Sequence, residues 1–526
     1  MMTMFNVRSA QRALDGFHPD PSICRGPSGA LYMVNSTFEY FPGLPVSVSD
    51  DGLHWRTIGD VVTRPSQFLY ETMDNNLGMY APTIRYHEGL FYVIVANVNV
   101  GTAIYTASDP AGPWSDPLEV EGWPGIDPSL LFDDDGSAYI CGNEGQLPDG
   151  GYEPAGIYVA QLDVTSGRLM SGRTRICRGI TGAHPEGPHL YKRSGLYYLM
   201  WAEGGTEAGH MENIARSSCV TGPYENYPGN PLVTNRSTPL PLQAVGHADC
   251  ADFEADRTVM AFLATRGNDE YPSKTWLGRE SYVTDFTWKD GWPDLCDQSY
   301  DCPDLLDGRF DMRAMQWITP SVDRQGRYAL FADDGEVLRG LVTFESTAVK
   351  GGDALLADNR PVRSIRVQGL AQDFTLAAGP PLIGVRQPAM VCDFGFIIDE
   401  VRQLRSGSCG LAVYVNARHY FTLGLVKDGG ADSGYRIEAS TFNDGLLSCL
   451  GGIALTGHEG PVELRVHADQ YCYRFEVAEG GHVEGLGSAP VSVLAFANAG
   501  GFTGVLLGAF VHGEGTVTFR LPQGSA

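Results

Sequence analysis

The sequence predicts an all-β protein, a five-bladed β-propeller followed by a β-sandwich, and three observations carry that prediction. Charged residues are only 19% of the 526 while Gly (65) and Pro (32) are frequent, which suits a turn-rich β chain better than a helical bundle or a disordered tail. Five segments in the first three hundred residues share one pattern. A second motif recurs ahead of each of them in constant phase.

The five segments are GPSGALYMVNSTF (26–38), HEGLFYVIVAN (87–97), DDDGSAYICGN (133–143), KRSGLYYLMWAE (192–203) and EADRTVMAFLATR (254–266). Each reads as a polar hairpin turn leading into a strand of alternating apolar and aromatic residues. With Tyr32, Phe91, Tyr139, Tyr197 and Val259 as equivalent points, the steps are 59, 48, 58 and 62 residues. That spacing fits one four-stranded sheet per repeat, and sheets repeated radially make a propeller.

The preceding motifs are Asp20-Pro21-Ser22, Ala81-Pro82-Thr83, Asp127-Pro128-Ser129, Glu186-Gly187-Pro188 and His247-Ala248-Asp249, at offsets of 12, 10, 12, 11 and 12 from their markers. If they open the innermost strand of each blade, their side chains converge at one end of the channel. Asp-Pro-Ser alone is a common turn start. Its recurrence in phase with Glu-Gly-Pro is what points to chemistry, because three carboxylates around one cavity push each other's pKa values apart. One can then stay protonated as a general acid while another is ionised as a base. Hydrolysis of a glycosidic bond needs that pair.

Charge and segment composition narrow the partners and the compartment. Lys plus Arg total 37 against 63 Asp plus Glu, a net charge of −26 that repels nucleic acid and anionic bilayers. No apolar run approaches the roughly 20 residues of a membrane span. Residues 1–14 lack the apolar stretch of about 7–15 residues of a secretory signal. Eleven Cys without a CxxC read as buried thiols in a reducing compartment, so the expectation is cytoplasmic.

Six separated motifs resemble glycoside hydrolase family 43: residues 17–22 (FHPDPS), 35–43 (NSTFEYFPG), 125–129 (GIDPS), 186–189 (EGPH), 246–249 (GHAD) and 277–280 (LGRE). Within the family the chain is similar to the β-xylosidase and α-L-arabinofuranosidase branch that carries a C-terminal β-sandwich. The resemblance implies an inverting mechanism, with Asp20 as general base, Glu186 as general acid and Asp127 as the carboxylate that keeps the acid protonated and oriented. It implies Arg279 as a donor to sugar hydroxyls, an ion pair with Glu280 being the alternative. Phe38, Tyr80 and His210 are implied around the substrate. His247 is implied on the axis as a candidate metal residue, beside a calcium ion that the chemistry itself does not require.

After Gly291-Trp292-Pro293 the repeat stops and a Cys- and Asp-rich stretch, 294–307, reads as a linker, dividing the chain into 1–300 and 301–526. Strand-like runs at 410–415, 420–425 and 462–466, separated by turns, predict the sandwich. The resemblance extends to Val385-Arg386-Gln387 and Gly501-Phe502-Thr503-Gly504, and implies that Phe502 enters the pocket mouth and favours exo action. The expected activity is release of terminal β-1,4-linked D-xylose from short xylooligosaccharides. An α-L-arabinofuranosidase acting on arabinosides is the alternative, and a non-catalytic glycan-binding propeller the rival from another class. The sequence leaves the oligomeric state open, a homo-oligomer included.

Overall fold

Each of the five repeated hairpins becomes one antiparallel sheet in the computed structural model. It describes residues 10–67, 76–98, 100–145, 150–180, 183–254, 256–270, 272–295, 310–320, 327–333, 335–340, 361–371, 374, 381–427, 434–455 and 460–522. The expected linker and the boundary at 300/301 fall largely outside them.

Innermost strands are Ser22–Arg25, Met79–His87, Ser129–Phe132, Glu186–Arg193 and Leu242–Glu254, in blades 1 to 5. All five marker residues lie on the second strands, Leu31–Val34, Leu90–Asn97, Ala138–Asn143, Leu196–Glu203 and Arg257–Arg266. The hairpins between first and second strands are tight where two successive residues take positive φ: Glu88-Gly89 (46° and 88°) and Ser194-Gly195 (51° and 78°). Those are the turns whose twist matches the flanking strands. Innermost strands of neighbouring blades lie side by side around a full circle, blade 5 against blade 1. Gln11–Arg12 closes the ring by pairing with Arg279–Lys289 of blade 5.

Asp249 knots the axis. Its carboxylate accepts from Ser22 Oγ (2.6 Å), Arg85 Nη1 (2.8 Å) and Tyr191 OH (2.5 Å), so blades 1, 2, 4 and 5 meet on one buried charge. Burial opposes ionisation, but Arg85 and His189 outweigh it and hold the carboxyl down at about 2. Asp249→Asn leaves the Arg85 guanidinium buried without its counter-ion, a change that costs about 3–5 kcal/mol. A fall in the thermal unfolding midpoint of the full chain checks this; an unchanged midpoint would show that the knot is dispensable.

The C-terminal half is a sandwich of two antiparallel sheets joined by one strand, Leu506–Arg520. Its first part pairs with Leu404–Asn416 and Leu382–Arg386, and its end with Ser364–Gln368 and Cys392–Ile398. The three strand-like runs read from the sequence lie within Leu404–Asn416, His419–Lys427 and Val462–Ala468.

Propeller and sandwich share one core, in which Phe41, Trp276 and Leu277 belong to the same apolar cluster as Val505, Leu507 and Tyr473. Backbone bonds cross the junction: Phe496 N–H to the Thr275 carbonyl (2.8 Å) and Val505 N–H to that of Trp276 (3.2 Å). Nine described cysteines are free thiols. The expectation that they are buried holds for Cys24, Cys141, Cys250, Cys392 and Cys409 but fails for Cys219 and Cys449, which are exposed. Cys219 follows the third strand of blade 4 in a turn, and Cys449 lies on Leu446–Leu455, the strand at the end of its sheet. Among the described residues no helix is long and apolar enough to cross a membrane.

Candidate active site

The blade motifs reach the channel through local irregularities of the innermost strands. Pairing slips between Met79 and Pro82, between Glu186 and His189, and twice between Gln243 and Asp249. Such bulges re-aim side chains out of the regular pleat. Asp20, Asp127 and His247 all adopt left-handed backbone (φ 51°, 49° and 53°), a conformation that Asp and His tolerate better than most residues. The constant phase read in the sequence is thus a constant backbone geometry at three of the five motifs, although His247 lies inside its strand, Leu242–Glu254, rather than opening it.

Asp20 is almost fully enclosed and accepts three hydrogen bonds. Ser36 Oγ donates to Oδ2 (2.6 Å), and the Arg279 guanidinium grips both oxygens, Nη1 to Oδ1 at 2.8 Å and Nη2 to Oδ2 at 3.3 Å. Burial on its own would raise this carboxyl. Arg279, His247 and Ser36 overcome that and hold it below the usual range, so it is ionised at neutral pH. Asp127 accepts the Gly187 N–H (3.0 Å), which ties it to the residue next to Glu186. Burial, with Asp20 adding to it, raises Asp127. Burial and the neighbouring Asp127 push Glu186 up to about 8, so it carries a proton at neutral pH. Asp20 (3% exposed) and Asp127 (7%) are buried while Glu186 is only partly so, which leaves Glu186 as the carboxyl that solvent reaches.

Gly187 makes this arrangement possible. A Cβ there would stand 2.9 Å from the His247 ring, and its φ is +55°. His247 packs on that bare Cα, with Nδ1 3.8 Å from Asp20 Oδ1. Calcium takes six to eight oxygen ligands. His247 offers one nitrogen, Asp20 is already engaged by Arg279 and Ser36, and among the described residues no group of three His, Cys, Asp or Glu is placed to hold a metal. The residues present do not fit a calcium ion ligated by the protein, and no step below is routed through one.

Four of the expected substrate-side residues converge. The Phe38 and Phe502 rings stack at 5.4 Å, Tyr80 meets both edge-on at 5.1 and 5.8 Å, and the Arg279 guanidinium lies 5.5 and 5.3 Å from the two Phe rings. Phe502 comes from the sandwich. Its carbonyl accepts from Arg279 Nε (3.1 Å) and its N–H donates to Asn76 Oδ1 (2.8 Å). Gly504 lets the loop descend this far, since a Cβ there would meet the Leu277 carbonyl at 2.0 Å.

Placement refines several expectations. Arg279 pairs with Asp20, and Glu280 with Arg266 (2.6 and 2.8 Å), so the alternative of an Arg279–Glu280 pair is not realised. With Thr206 Oγ1 also accepting from Nη1 (3.1 Å), four of the five guanidinium donors are engaged and one Nη2 hydrogen is left for a sugar hydroxyl. Phe38 is 2% exposed and lies beneath Tyr80 and Phe502 rather than on the open wall. His210 is fully buried under Gly246, within electrostatic reach of His247, Arg279 and Asp20. Its Nδ1 donates to the Ala244 carbonyl (2.8 Å), and burial pushes it down to about 3, so it is a neutral ring.

Ser36, Thr206 and Asn76 went unassigned in the sequence. Ser36 lies inside the quoted motif NSTFEYFPG, whereas Thr206 and Asn76 carry no pattern.

The model of the family described as "Glycosyl hydrolases family 43" matches residues 12–293, nearly all of the propeller and more than half of the chain. The chain belongs to glycosyl hydrolase family 43. Residues 360–519 match a second model, the "Beta xylosidase C-terminal Concanavalin A-like domain". This family 43 glycosidase is 33% identical over 533 residues to the non-reducing end alpha-L-arabinofuranosidase BoGH43B of Bacteroides ovatus, covering 97% of this chain and 94% of that protein. It is 43% identical over 291 residues to a xylosidase/arabinosidase of Butyrivibrio fibrisolvens, covering 53% of this chain and 55% of the other. Its structure superposes on that of xylan beta-1,4-xylosidase from Bacillus halodurans C-125 with a TM-score of 0.80 at 27% identity, covering 98% of this chain and all of the other.

Proposed function

We propose that this glycosidase is an exo-acting inverting enzyme that releases terminal D-xylose from short β-1,4-linked xylooligosaccharides. The observation that carries the reading is the split between Asp20, held ionised by Arg279, and Glu186, held protonated at the open side of the same cavity. In this mechanism Asp20 takes a proton from water as the water oxygen bonds to the anomeric carbon. The bond to the leaving oxygen breaks on the opposite face, and Glu186 passes its proton to that oxygen. Asp127 supplies the negative field that keeps the acid protonated. A location inside the cell, working on imported oligosaccharides, accords with the free thiols.

The exo preference rests on the Phe502 loop at the mouth. Phe502→Ala removes the ring stacked on Phe38, and kcat/KM on xylobiose should fall by about one to two powers of ten, the scale of an aromatic contact worth about 1–3 kcal/mol. Native kinetics with a lowered melting temperature would reduce Phe502 to sandwich packing.

A second reading, release of terminal α-L-arabinofuranose, is favoured by the match along nearly the whole chain to an enzyme named for that activity. Parallel kinetics on p-nitrophenyl β-D-xylopyranoside and p-nitrophenyl α-L-arabinofuranoside test the choice. A kcat/KM at least tenfold higher on the xyloside is expected; the reverse order would replace the first reading with the second. Inactivity on both would remove the pentosidase reading.

A further inference from the structure

A cavity of about 690 Å³ lies between the propeller and the sandwich, and none of the three acids lines it. The N-terminal strand and the outer strand of blade 1 form one side, and the segment 313–317 with Arg386 the other. Among the described lining residues, Arg12, Arg56, Arg313 and Arg386 face two carboxylates, Asp15 and Asp60, a local excess of positive charge in a chain whose net charge is −26. Two of these arginines are satisfied nearby: Arg12 by Asp15 (2.9 Å) and Arg313 by Asp311 (2.6 Å).

Arg386, in the Val385-Arg386-Gln387 motif that catalysis leaves unused, is not. It is 3% exposed and lies against the Phe17 ring at 5.1 Å. Its side chain donates to neutral Gln316 Oε1 (2.8 Å), and Nε has no partner among the described residues. Asp60, the carboxylate whose field reaches it, is bonded to the far end of that glutamine (2.6 Å). Burial brings Arg386 down to about 10, still charged at neutral pH. A desolvated cation without an adjoining anion is an expensive group to bury.

The indole Nε1 atoms of Trp55 and Trp317, which line the same cavity, are likewise buried without acceptors. All three orphaned atoms are donors enclosed behind the cavity wall, so what an occupant meets is the charge of Arg386 rather than these N–H groups. The volume falls within the roughly 300–1,000 Å³ of small-molecule sites. A neutral sugar would leave Arg386 uncompensated, and a bare inorganic anion would leave the aromatic walls unused.

We propose that this interdomain cavity binds a small acidic saccharide, its carboxylate held by Arg386 and by Arg56 at the mouth and its ring set against the indoles. Guanidinium forks suit a carboxylate, and flat apolar faces suit a pyranose ring.

The test follows thermal unfolding and tryptophan fluorescence of the full chain with D-glucuronate as probe, against D-xylose, inorganic phosphate and sodium chloride at matched ionic strength. A saturable rise in unfolding temperature with glucuronate alone is expected, persisting when D-xylose is also present. Arg56→Gln, an exposed change that leaves the core intact, should weaken the apparent affinity at least tenfold, and Arg386→Gln should abolish the response while leaving the unliganded protein no less stable. If Arg386→Gln does not fold, the Arg56 variant decides alone. The absence of a saturable response, an equal response to phosphate, or an undiminished response in Arg56→Gln would overturn the proposal.

Discussion

Asp20→Asn should lose about 10²–10⁴-fold in kcat on every glycoside, activated aryl pentosides included, because the attacking water needs its base whatever the leaving group. The structure adds a second cost. Arg279 grips both Asp20 oxygens and is itself almost enclosed, so an amide there leaves a guanidinium without its charge partner. Stopped-assay kinetics on xylobiose and on p-nitrophenyl β-D-xylopyranoside check the loss. Proton NMR of fresh wild-type product checks its cause, since a base acting on water delivers the inverted anomer. Retention of configuration would make Asp20 a nucleophile and sink the inverting scheme.

Glu186→Gln should behave differently on different substrates. On xylobiose, whose leaving alcohol needs a proton, kcat should drop by about 10²–10⁴-fold, while an aryl glycoside with a stable phenolate should keep most of its rate. The pH profile should separate the two acids as well. The wild-type rate requires Glu186 protonated, so it falls as pH rises through about 8. It also requires Asp20 ionised, so it falls at the acid end below the usual carboxylate range. In the Gln variant the alkaline limb on the aryl substrate should vanish and the acid limb remain. Equal losses on both substrates, with the alkaline limb intact, would take Glu186 out of the acid role.

Much of this was legible because propeller architecture repeats in sequence as well as in space. Markers such as Tyr139 and Tyr197 announced their strands through hairpin turns and alternation, which are local signals. The acids were legible through phase: Asp20, Asp127 and Glu186 sit at one station of blades 1, 3 and 4. What stayed hidden is non-local. The partner of Arg279 is 259 positions away in the chain, and its neighbour Glu280, the tempting local choice, is taken by Arg266. Thr206 reaches Arg279 from a loop without a pattern, and the backbone slips that turn the motifs inward appear only when strands pair. The motif around His210 places it near the acids, but its full burial beneath Gly246 is a property of packing that a motif does not record.

The bond from Arg279 Nε to the Phe502 carbonyl means that one guanidinium serves both the catalytic base and the seating of the sandwich loop. Those two duties form a thermodynamic cycle, and cycles are reciprocal. Whatever loop seating contributes to keeping Asp20 ionised, protonating Asp20 must subtract from the seating by the same factor. Acid should therefore loosen the 501–504 loop before it unfolds either domain, read as earlier amide exchange or proteolytic nicking there. Trimming away the sandwich would not leave a smaller enzyme with the same chemistry; it would leave a propeller whose base has a raised pKa and works over a narrower pH range.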